Sequence, residues 1–498
     1  MIMDIGGQIL CISTRIKFTL CYHRAMIHLR KTKIVATIGP SSSDEHTLIR
    51  MIEAGMNVAR INCSHGTHEE YRANIEAVRK AAKKAKMPVA ILLDLGGPKI
   101  RIGEFAEGKI TLERGAQFTL STKPMEGTMD RVFINYPKIT KEVKPGMHIR
   151  LDDGKVDLEV MSVRGDDVHT KVISGGEIRS RRGVNIPDAD LSIETITAKD
   201  LKDVAFGIKM DVDFVALSFV RNAKDIMKLR GILMKNGSTA AIVAKIETRQ
   251  AVEDIDNIIA AARGIMVARG DLAVEVPKEE VPLIQKMIIR KCNAAGKAVI
   301  TATQMLDSMA SHNTPTRAEV NDVANAIFDG TDAVMLSGES AIGIHPPLAI
   351  QTMAHIALKV ENSRLYHEDI LRIGTFPEGV VDAVSSSVAQ IVRAVKARAI
   401  VALTESGFTP RIISRHKPIA PILVITSAES TYRQLVLSYG CYPVLTTSKI
   451  KTMTDAIKTA QKTLKAKGFA QEGEVFVLVA GVPFGNRGGT NTLSVQEV

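Results

Sequence analysis

The sequence predicts an α/β protein in which a (β/α)8 TIM barrel carries an inserted small all-β lid domain and is followed by a C-terminal α/β domain. Three observations predict this fold class. Eight short apolar runs recur along the chain, helical patterns separate most of them, and the alternation is replaced by other patterns in two places. Strands that alternate with helices favour a parallel sheet. At 498 residues, the chain is also too long for a single hydrophobic core.

The eight apolar runs are the predicted barrel strands. In chain order they are Lys31–Ile38, Asn57–Ile61, Val89–Leu93, Asp213–Leu217, Ala240–Ala244, Ile265–Ala268, Ala298–Ala302 and Ala333–Leu336. Helical patterns lie between several of them, at Asp44–Ala54, Glu69–Ala85, Ala223–Lys235 and Val281–Ala295. A (β/α)8 barrel assembles its active site from the C-terminal ends of its strands. The polar residues that follow these runs are therefore the candidates for chemistry.

Two further domains are expected. Between the third and fourth runs, short alternating segments such as His148–Leu151 are separated by glycine-containing turns, which predicts a small all-β domain. An insertion in a βα loop lies over the catalytic face, where it can act as a lid. After the eighth unit, a helical pattern and three apolar runs predict an α/β domain, at Gly379–Lys396, Ala399–Leu403, Ile422–Thr426 and Val475–Val479. We expect a barrel of residues 30–97 and 186–361, a lid of residues 98–185 and a C-terminal domain of residues 362–498.

Residues 1–29 differ in character from the rest of the chain. They contain Arg15, Lys17 and Arg24 but only one acidic residue, Asp4. We expect a disordered N-terminal extension outside the fold, with a later start such as Met26. A transit segment that directs the protein to an organelle is the alternative, although the stretch has no clean amphipathic period.

Composition restricts the function classes. The net charge of +11 suits solubility and attraction of anionic metabolites, whereas nucleic-acid binding is disfavoured because aromatic residues make up only 4% of the chain. Five scattered cysteines favour a reducing compartment over a disulfide framework. No apolar run approaches the roughly 20 residues that span a bilayer. We expect a cytoplasmic protein with no membrane or nucleic-acid partner.

Two carboxylates and a lysine follow neighbouring strands. Glu247 follows the fifth run and Asp271 the sixth. Because Mg²⁺ prefers one or two carboxylates together with substrate oxygens, the pair predicts a site for Mg²⁺ (or Mn²⁺), although each could be an ordinary loop acid. Lys245 lies two residues before Glu247, on the same side of a strand. A lysine beside a metal carboxylate suits phosphoryl transfer. A structural ion pair and the Schiff-base lysine of an aldolase remain alternatives.

The other strand ends give weaker signals. Gly270 precedes a polar turn and a helical stretch at Val276–Glu280; the N–H groups of this turn could hold a carboxylate, or Gly270 could be only a turn residue. Thr303, after the seventh run, could relay a proton or cap a helix, and Ser337 and Glu339 could join that relay. Arg60, in the second run, suits bidentate phosphate binding. No zinc-protease, paired-cysteine or P-loop motif occurs.

Seven motifs resemble the pyruvate kinase family. They are Thr37–Ser41, Ala59–Gly66, Asp94–Arg101, Ala244–Glu247, Ala268–Leu272, Ala302–Leu306 and Met335–Ser340. The resemblance runs in order from about Arg30 to the C-terminus. It implies a barrel, a lid and a C-terminal regulatory domain in a homotetramer. It also implies transfer of the phosphoryl group of phosphoenolpyruvate to ADP, which yields pyruvate and ATP in the final step of glycolysis.

The resemblance also implies roles for individual residues. Glu247 and Asp271 hold the divalent metal, and Lys245 stabilises the phosphoryl group during transfer. Gly270 and Asp271 bind the substrate carboxylate, and Arg60 contacts the phosphate.

Further implied roles concern protonation and the nucleotide. Thr303 stands near the methylene carbon of the enolate, with Ser337 and Glu339 behind it. The nucleotide side is formed by five residues, namely Asn62, Ser64, His65, Arg101 and Arg182. Relatives often have lysine in place of Arg182.

Two departures from the family pattern concern K⁺. Many relatives hold this ion with residues that match Asn62, Ser64, Asp94 and the backbone of Leu95, and they have glutamate where this chain has Lys99. Two positive charges so close would repel in a partly buried site. We therefore expect the Lys99 ammonium to replace K⁺, so that the enzyme needs Mg²⁺ but not K⁺. Leu95, where such relatives often have a polar residue, supports this. The alternative is that Lys99 extends into solvent and K⁺ still binds.

A segment of the C-terminal domain is a candidate effector site. Its residues follow a strand and open a helix that contains Arg411 and Arg415; they are Thr404, Glu405, Ser406, Gly407 and Thr409. Such a segment can hold a phosphate or be an ordinary strand-to-helix turn. Relatives that use fructose 1,6-bisphosphate often have lysine in place of Glu405. The resemblance therefore favours AMP or a sugar monophosphate.

Two competing function classes remain open. A metal-dependent lyase or aldolase acting on pyruvate would share the barrel and the paired acids, but it would not explain the inserted domain or the C-terminal domain. A non-enzymatic protein that binds anions or nucleic acid is suggested only by the net charge.

Overall fold

The computed structural model describes residues 29–372, 379–448, 450–483 and 489–498, without the side chains of residues 370–372. Numbered along the chain, the strands are β1 (Lys33–Thr37), β2 (Val58–Asn62), β3 (Ala90–Asp94), β4 (Lys109–Leu112), β5 (Gln117–Ser121), β6 (Arg131–Phe133), β7 (His148–Leu151), β8 (Val156–Arg164), β9 (Asp167–Ser174), β10 (Gly176–Arg179), β11 (Val184–Asn185), β12 (Phe214–Leu217), β13 (Ala241–Ile246), β14 (Gly264–Ala268), β15 (Ala298–Ala302), β16 (Ala333–Leu336), β17 (Ala399–Leu403), β18 (Ile422–Thr426), β19 (Cys441–Leu445), β20 (Val475–Ala480) and β21 (Thr492–Glu497).

The described helices are numbered in the same way. They are α1 (Glu45–Ala54), α2 (His68–Ala85), α3 (Ile139–Glu142), α4 (Ala198–Lys209), α5 (Ala223–Lys235), α6 (Arg249–Glu253), α7 (Ile255–Ala261), α8 (Arg269–Glu275), α9 (Val281–Ala294), α10 (Arg317–Phe328), α11 (Gly338–Ala341), α12 (Pro346–Glu361), α13 (Arg364–Arg372), α14 (Gly379–Ala394), α15 (Phe408–Arg415), α16 (Glu429–Gln434) and α17 (Met453–Lys467). Short 3₁₀ turns occur at Pro40–Ser42, Lys278–Glu280, Asp307–Ala310 and Leu435–Leu437.

The predicted (β/α)8 barrel is confirmed. Eight parallel strands close in the order β1-β16-β15-β14-β13-β12-β3-β2, and each contains one of the predicted apolar runs or most of it. The register pairs Asn62 with Asp94, so the ends of β2 and β3 lie side by side. Nearly all residues of the strands are buried, because side chains fill the interior of the barrel and helices cover its outside.

Helix boundaries in the barrel follow from local capping. Thr67, Thr197 and Thr316 each form a capping box with the acidic residue three positions later, which satisfies exposed N–H groups at the starts of α2, α4 and α10. Gly55 ends α1 at a φ of 119°, and a Cβ atom there would lie 2.5 Å from Arg30 Nη1. Glycine is therefore required for this turn.

The inserted segment between β3 and β12 forms the predicted lid-like β structure. A six-stranded sheet has the order β11-β7-β8-β9-β5-β6, and β4 pairs with β10 in a second sheet. Alternate residues of β8 and β9 are buried, and the lid has its own core around Phe118, Leu158 and Val172. This packing explains the alternating pattern of the sequence.

The C-terminal α/β structure is also confirmed, and its sheet is larger than predicted. The order is β19-β18-β17-β20-β21, with apolar cores on both faces. Strands β19 and β21 were not predicted from the sequence. Pro443 lies inside β19, where it breaks the usual strand pattern, and β21 is a partly exposed antiparallel edge strand.

The C-terminal structure packs against the N-terminal ends of the barrel strands. Arg433 Nε pairs with Asp213 Oδ1 at 2.6 Å, and Lys33 Nζ donates to Cys441 O at 2.7 Å. Asp213 precedes β12 and Lys33 begins β1. The opposite, C-terminal mouth of the barrel therefore remains free for the lid and the site.

The predicted extension at residues 1–29 lies, except for Leu29, outside the described residues. Within the described part, no helix is long and apolar enough to cross a lipid bilayer.

Candidate active site

Three charged side chains meet at the C-terminal ends of β2, β3 and β13. Arg60 Nε donates to Asp94 Oδ2 at 2.6 Å, and Lys245 Nζ lies 3.4 Å from Asp94 Oδ1. Asp94 is buried. Burial alone would raise the pKa of Asp94, but the charges of Lys245 and Arg60 outweigh it and lower that pKa. The carboxylate therefore holds both cations in one place.

Lys245 has two further polar partners. Its Nζ lies 2.8 Å from Glu247 Oε1 and donates to Ser218 Oγ at 2.7 Å. Burial lowers the pKa of Lys245, but the carboxylates of Asp94 and Glu247 raise it above its usual value. A Schiff-base lysine must lose its proton before it attacks a carbonyl. The environment therefore disfavours that alternative and favours a fixed cation.

Ser218 follows a predicted strand but was not predicted to take part in the site. Its Oγ accepts from Lys245 and donates to Leu95 O at 2.8 Å. The position after β12 was the only signal that could have identified it.

Glu247 and Asp271 form the predicted carboxylate pair. Glu247 Oε2 accepts a hydrogen bond from Phe219 N at 2.7 Å, and the φ of Phe219 is 51°, which is uncommon for a bulky residue. Burial and the negative charge of Glu247 raise the pKa of Asp271 to about 7. A divalent cation fits between these groups because it would relieve their repulsion. In the part of the chain that the structure describes, no group of three or more His, Cys, Asp or Glu side chains could hold a metal. Substrate and water oxygens would therefore have to complete the coordination.

Thr303 lies on a strained turn after β15. Thr303 and Gln304 have φ values of 70° and 54°, a conformation that costs roughly 1–3 kcal/mol for a residue other than glycine. Thr303 Oγ1 accepts from Gly270 N at 2.9 Å and donates to Ala302 O at 2.6 Å. These bonds place the hydroxyl against the first turn of α8, beside Asp271.

The helix after β14 begins earlier than predicted. The stretch Val276–Glu280 was expected to be helical, whereas α8 spans Arg269–Glu275 and only Lys278–Glu280 forms a 3₁₀ turn. Val276 is extended because it precedes Pro277, and the residue before a proline is disfavoured in a helix. Gly270 therefore belongs to the first helical turn and not to a preceding loop.

Glu339 connects the ends of the seventh and eighth barrel strands. Its Oε1 accepts from Leu306 N at 3.1 Å and its Oε2 from Ser337 N at 2.7 Å. Burial raises its pKa, whereas these backbone N–H groups act in the opposite direction. Both carboxylate oxygens are thus used to fix the two loops behind Thr303.

A cleft of about 330 Å³ lies between the lid and the barrel mouth. Three predicted nucleotide residues line it, namely His65, Arg101 and Arg182, together with Lys99 and Asp271. Asn62 and Ser64 form a turn below, in which Asn62 Oδ1 accepts from Ser64 N at 3.1 Å. Burial and the charges of Lys99 and Arg101 lower the pKa of His65. Basic and acidic side chains therefore both line this cleft, with Lys99, Arg101 and Arg182 alongside Asp271 and Glu275.

Lys99 points towards the predicted cation region. Its Nζ donates to Ser64 Oγ at 3.1 Å. Lys99 is solvent-exposed, and the partial desolvation of its ammonium, followed by the charges of Lys245 and Arg101, lowers its pKa. The ammonium thus lies against one of the oxygens that K⁺-using relatives are expected to employ.

The predicted effector segment is a compact turn. Thr404 Oγ1 accepts from Gly407 N at 2.9 Å, and the φ of Gly407 is 72°. Glu405 and Ser406 are exposed, whereas Thr409 is buried and shares a hydrogen bond with Thr490.

The two arginines of the predicted effector segment point in different directions. Arg411 Nη2 donates to Ser406 O at 3.0 Å. Arg415 instead pairs with Asp382 and donates to Ala294 O at 2.8 Å in the barrel. The structure thus brings Arg411 to the segment but not Arg415.

A further cavity of about 1120 Å³ lies between the barrel and the C-terminal structure. Its basic residues include Lys291 and Arg393, which lie in the last turns of α9 and α14. Cations there compensate the negative ends of helices. Its positive charge therefore does not by itself indicate a ligand.

Comparisons with known proteins agree with this geometry. The family described as "Pyruvate kinase, barrel domain" matches residues 29–350, and "Pyruvate kinase, alpha/beta domain" matches residues 382–496. The chain is 45% identical over 474 residues to the pyruvate kinase of Geobacillus stearothermophilus, covering 94% of this chain and 80% of that protein. It is 44% identical to the pyruvate kinase of Sporosarcina psychrophila and 43% identical to that of Staphylococcus aureus strain MRSA252. In both cases the match covers 94% of this chain and 81% of the relative.

Proposed function

Because this chain belongs to the pyruvate kinase family, we propose that its reaction takes place at the C-terminal ends of the barrel strands and in the adjoining cleft between the lid and the barrel mouth. The enzyme is a phosphotransferase (EC 2.7.1.40) that transfers the phosphoryl group of phosphoenolpyruvate to ADP, giving pyruvate and ATP in glycolysis. The observation that supports this site best is the convergence of Lys245 with Asp94 and Glu247 at the ends of β3 and β13. Membership of this family argues against both alternatives raised from the sequence, a metal-dependent lyase or aldolase and a non-enzymatic protein that binds anions or nucleic acid.

Formation of ATP from phosphoenolpyruvate and ADP in the presence of Mg²⁺ tests the proposal. Purified enzyme should produce ATP and pyruvate in equal amounts. Loss of this activity in variants of Lys245 or Arg60 that remain folded would locate the reaction in the cleft.

Arg60 and Lys245 bind and stabilise the phosphoryl group. Negative charge develops on its oxygens during transfer, and fixed cations in a partly buried site stabilise it without rearrangement. Asp94 holds both cations, at 2.6 Å and 3.4 Å, before the substrate arrives. The lid excludes water, which could otherwise accept the phosphoryl group.

Glu247 and Asp271 would hold the divalent cation, Mg²⁺ or Mn²⁺. When bound, the ion would supply positive charge that stabilises the anionic substrate. The raised pKa of Asp271 supports this assignment, because its cause is burial together with an uncompensated carboxylate neighbour.

Thr303 serves the protonation of the enolate that remains after transfer. Its hydroxyl is placed by Gly270 N and Ala302 O. Gly270 and Asp271, in the first turn of α8, bind the substrate carboxylate. Ser337 and Glu339 support this step by fixing the loops behind Thr303.

The nucleotide binds on the lid side of the cleft. His65, Arg101 and Arg182 line this side, and Asn62 and Ser64 support it from the end of β2. Arg182 also approaches Asp152, with 3.4 Å between Nε and Oδ1.

The enzyme needs no K⁺, because the ammonium of Lys99 takes its place. The bond of 3.1 Å to Ser64 Oγ supports this. The backbone of Leu95 also supports this, because its carbonyl oxygen, one of the groups expected to bind K⁺, already accepts a hydrogen bond from Ser218 Oγ.

Regulation and assembly complete the proposal. A phosphorylated effector, AMP or a sugar monophosphate, binds at the turn formed by Thr404, Glu405, Ser406, Gly407 and Thr409. The enzyme acts as a homotetramer in the cytoplasm, a location that its bacterial relatives favour over an organelle. The chain divides functionally into the barrel of residues 30–97 and 186–361, the lid of residues 98–185 and the regulatory domain of residues 362–498.

A further inference from the structure

The guanidinium of Arg269 holds the backbone of the turn that carries Thr303. Its Nη2 donates to Thr303 O at 2.7 Å and its Nε donates to Ala302 O at 3.2 Å. The φ of Thr303 is 70°. A β-branched residue keeps such a conformation only where its surroundings fix it. Two hydrogen bonds from one rigid planar group to successive carbonyls provide that restraint.

Asp322 in turn fixes Arg269. Its two carboxylate oxygens lie 2.6 Å and 2.8 Å from Nη1 and Nη2 of the guanidinium, in a bidentate pair. Asp322 lies on α10, and both of its carboxylate oxygens bind Arg269. We therefore expect it to act on the site through Arg269.

We propose that Arg269 and Asp322 are positioning residues for the protonation half of the reaction. The proposal rests on the role proposed above for Thr303. In that step the Thr303 hydroxyl leaves its hydrogen bond to Ala302 O and its O–H bond breaks as the proton is transferred. The C=C electron pair of the enolate forms the C–H bond at the methylene carbon, and a lone pair of the enolate oxygen re-forms the ketone carbonyl. One proton from bulk solvent, passed on by water, restores the hydroxyl. The Asp322–Arg269 pair sets the direction in which the hydroxyl points.

The test compares two changes on the same helix. Asp322→Asn keeps the side-chain shape and removes the charge that fixes the guanidinium. Glu319→Gln is the matched control, because Glu319 binds Ser308 N at 2.7 Å in the same loop. The measurement is exchange of the methyl hydrogens of pyruvate with D₂O in the presence of Mg²⁺ and ATP, followed by NMR. This exchange reports proton transfer at carbon.

We expect Asp322→Asn to reduce exchange and kcat about tenfold, which corresponds to ~1.4 kcal/mol. The KM for phosphoenolpyruvate should stay within about twofold, because the groups that bind phosphate are not touched. Glu319→Gln should exchange at nearly the wild-type rate. Arg269→Lys, which keeps the charge but loses the planar fork, should show the same loss as Asp322→Asn.

Normal exchange in Asp322→Asn, or an equal loss in Glu319→Gln, would overturn the proposal. If melting curves show that Asp322→Asn is unfolded, Arg269→Lys decides, and normal exchange in that variant overturns it. A wild-type enzyme without transfer from phosphoenolpyruvate to ADP would contradict the proposed function instead.

Discussion

Lys245 Nζ and Glu247 Oε1 lie 2.8 Å apart, so the proposed phosphoryl-binding cation and one proposed metal ligand form an ion pair at the end of a single strand. The same ammonium lies 3.4 Å from Asp94 Oδ1. One lysine therefore balances two buried carboxylates before substrate binds. Its charge is held in place by strand geometry and does not depend on closure of the lid.

Lys245→Met should reduce turnover by about three orders of magnitude or more, the scale of a lost electrostatic catalyst. The methionine fills a similar volume but supplies no charge to the transferring group. Steady-state kcat for ATP formation is the measurement.

The exposed residue Lys224 offers a control for loss of a lysine as such. Lys224→Met should retain wild-type turnover and melting temperature. Turnover near normal in a folded Lys245→Met enzyme would remove Lys245 from the mechanism.

The positions of the main site residues could be predicted from sequence because the barrel topology brings strand ends together. Lys245 lies near the end of β13, Glu247 follows that strand and Asp271 follows β14, and parallel strands end at one mouth. The positions of these residues relative to the strand ends were therefore enough to predict that they lie close together.

Other features depend on contacts that sequence spacing does not contain. The pairing of Arg269 with Asp322 joins segments 53 positions apart, and neither residue ends a predicted strand in a way that suggests the other. The left-handed backbone of Thr303 is imposed by this tertiary contact, since threonine has no local preference for it. Strand β19 was missed for a local reason, because Pro443 within it breaks the usual sequence pattern of a strand.

Activity should not depend on K⁺, because the ammonium of Lys99 already donates to Ser64 Oγ at 3.1 Å. Rates in K⁺, Na⁺ and tetramethylammonium buffers of equal ionic strength should agree. Activation of about tenfold by K⁺, or ~1.4 kcal/mol of transition-state stabilisation, would overturn this reading.

Two substitutions of Lys99 distinguish the effect of removing its ammonium from the effect of adding a carboxylate. Lys99→Glu should create partial dependence on K⁺, since the site regains room and negative charge for the ion. Lys99→Met is the matched control that removes the ammonium without adding an acid. Similar responses of the two variants to K⁺ would show that the carboxylate has no part in cation binding.

Ser406→Asp should abolish activation by AMP or a sugar monophosphate. Ser406 is exposed in the turn beside Gly407, and an added carboxylate would repel a phosphate there. Initial rates at subsaturating phosphoenolpyruvate, with and without each compound, provide the measurement.

Ser387, an exposed serine on α14, gives a control for an added negative charge. Ser387→Asp should still be activated. Turnover without any effector is measured in parallel, because its loss would indicate misfolding of the Ser406 variant. Activation that survives in Ser406→Asp would place the effector elsewhere.

Stability should rise with pH between about 7 and 9 because of Lys33. This lysine is fully buried between the barrel and the C-terminal structure, and burial lowers its pKa from 10.5 to about 7. Between these two values the unfolded chain binds more protons than the folded one, so raising the pH favours folding.

Loss of the charge in Lys33→Met should remove this contribution, on the order of 2 kcal/mol over that interval. Urea unfolding of both proteins at pH 7 and pH 9 gives the difference, with Lys451→Met as an exposed control. Equal pH dependence of wild type and Lys33→Met would show that Lys33 keeps an ordinary pKa in the folded enzyme.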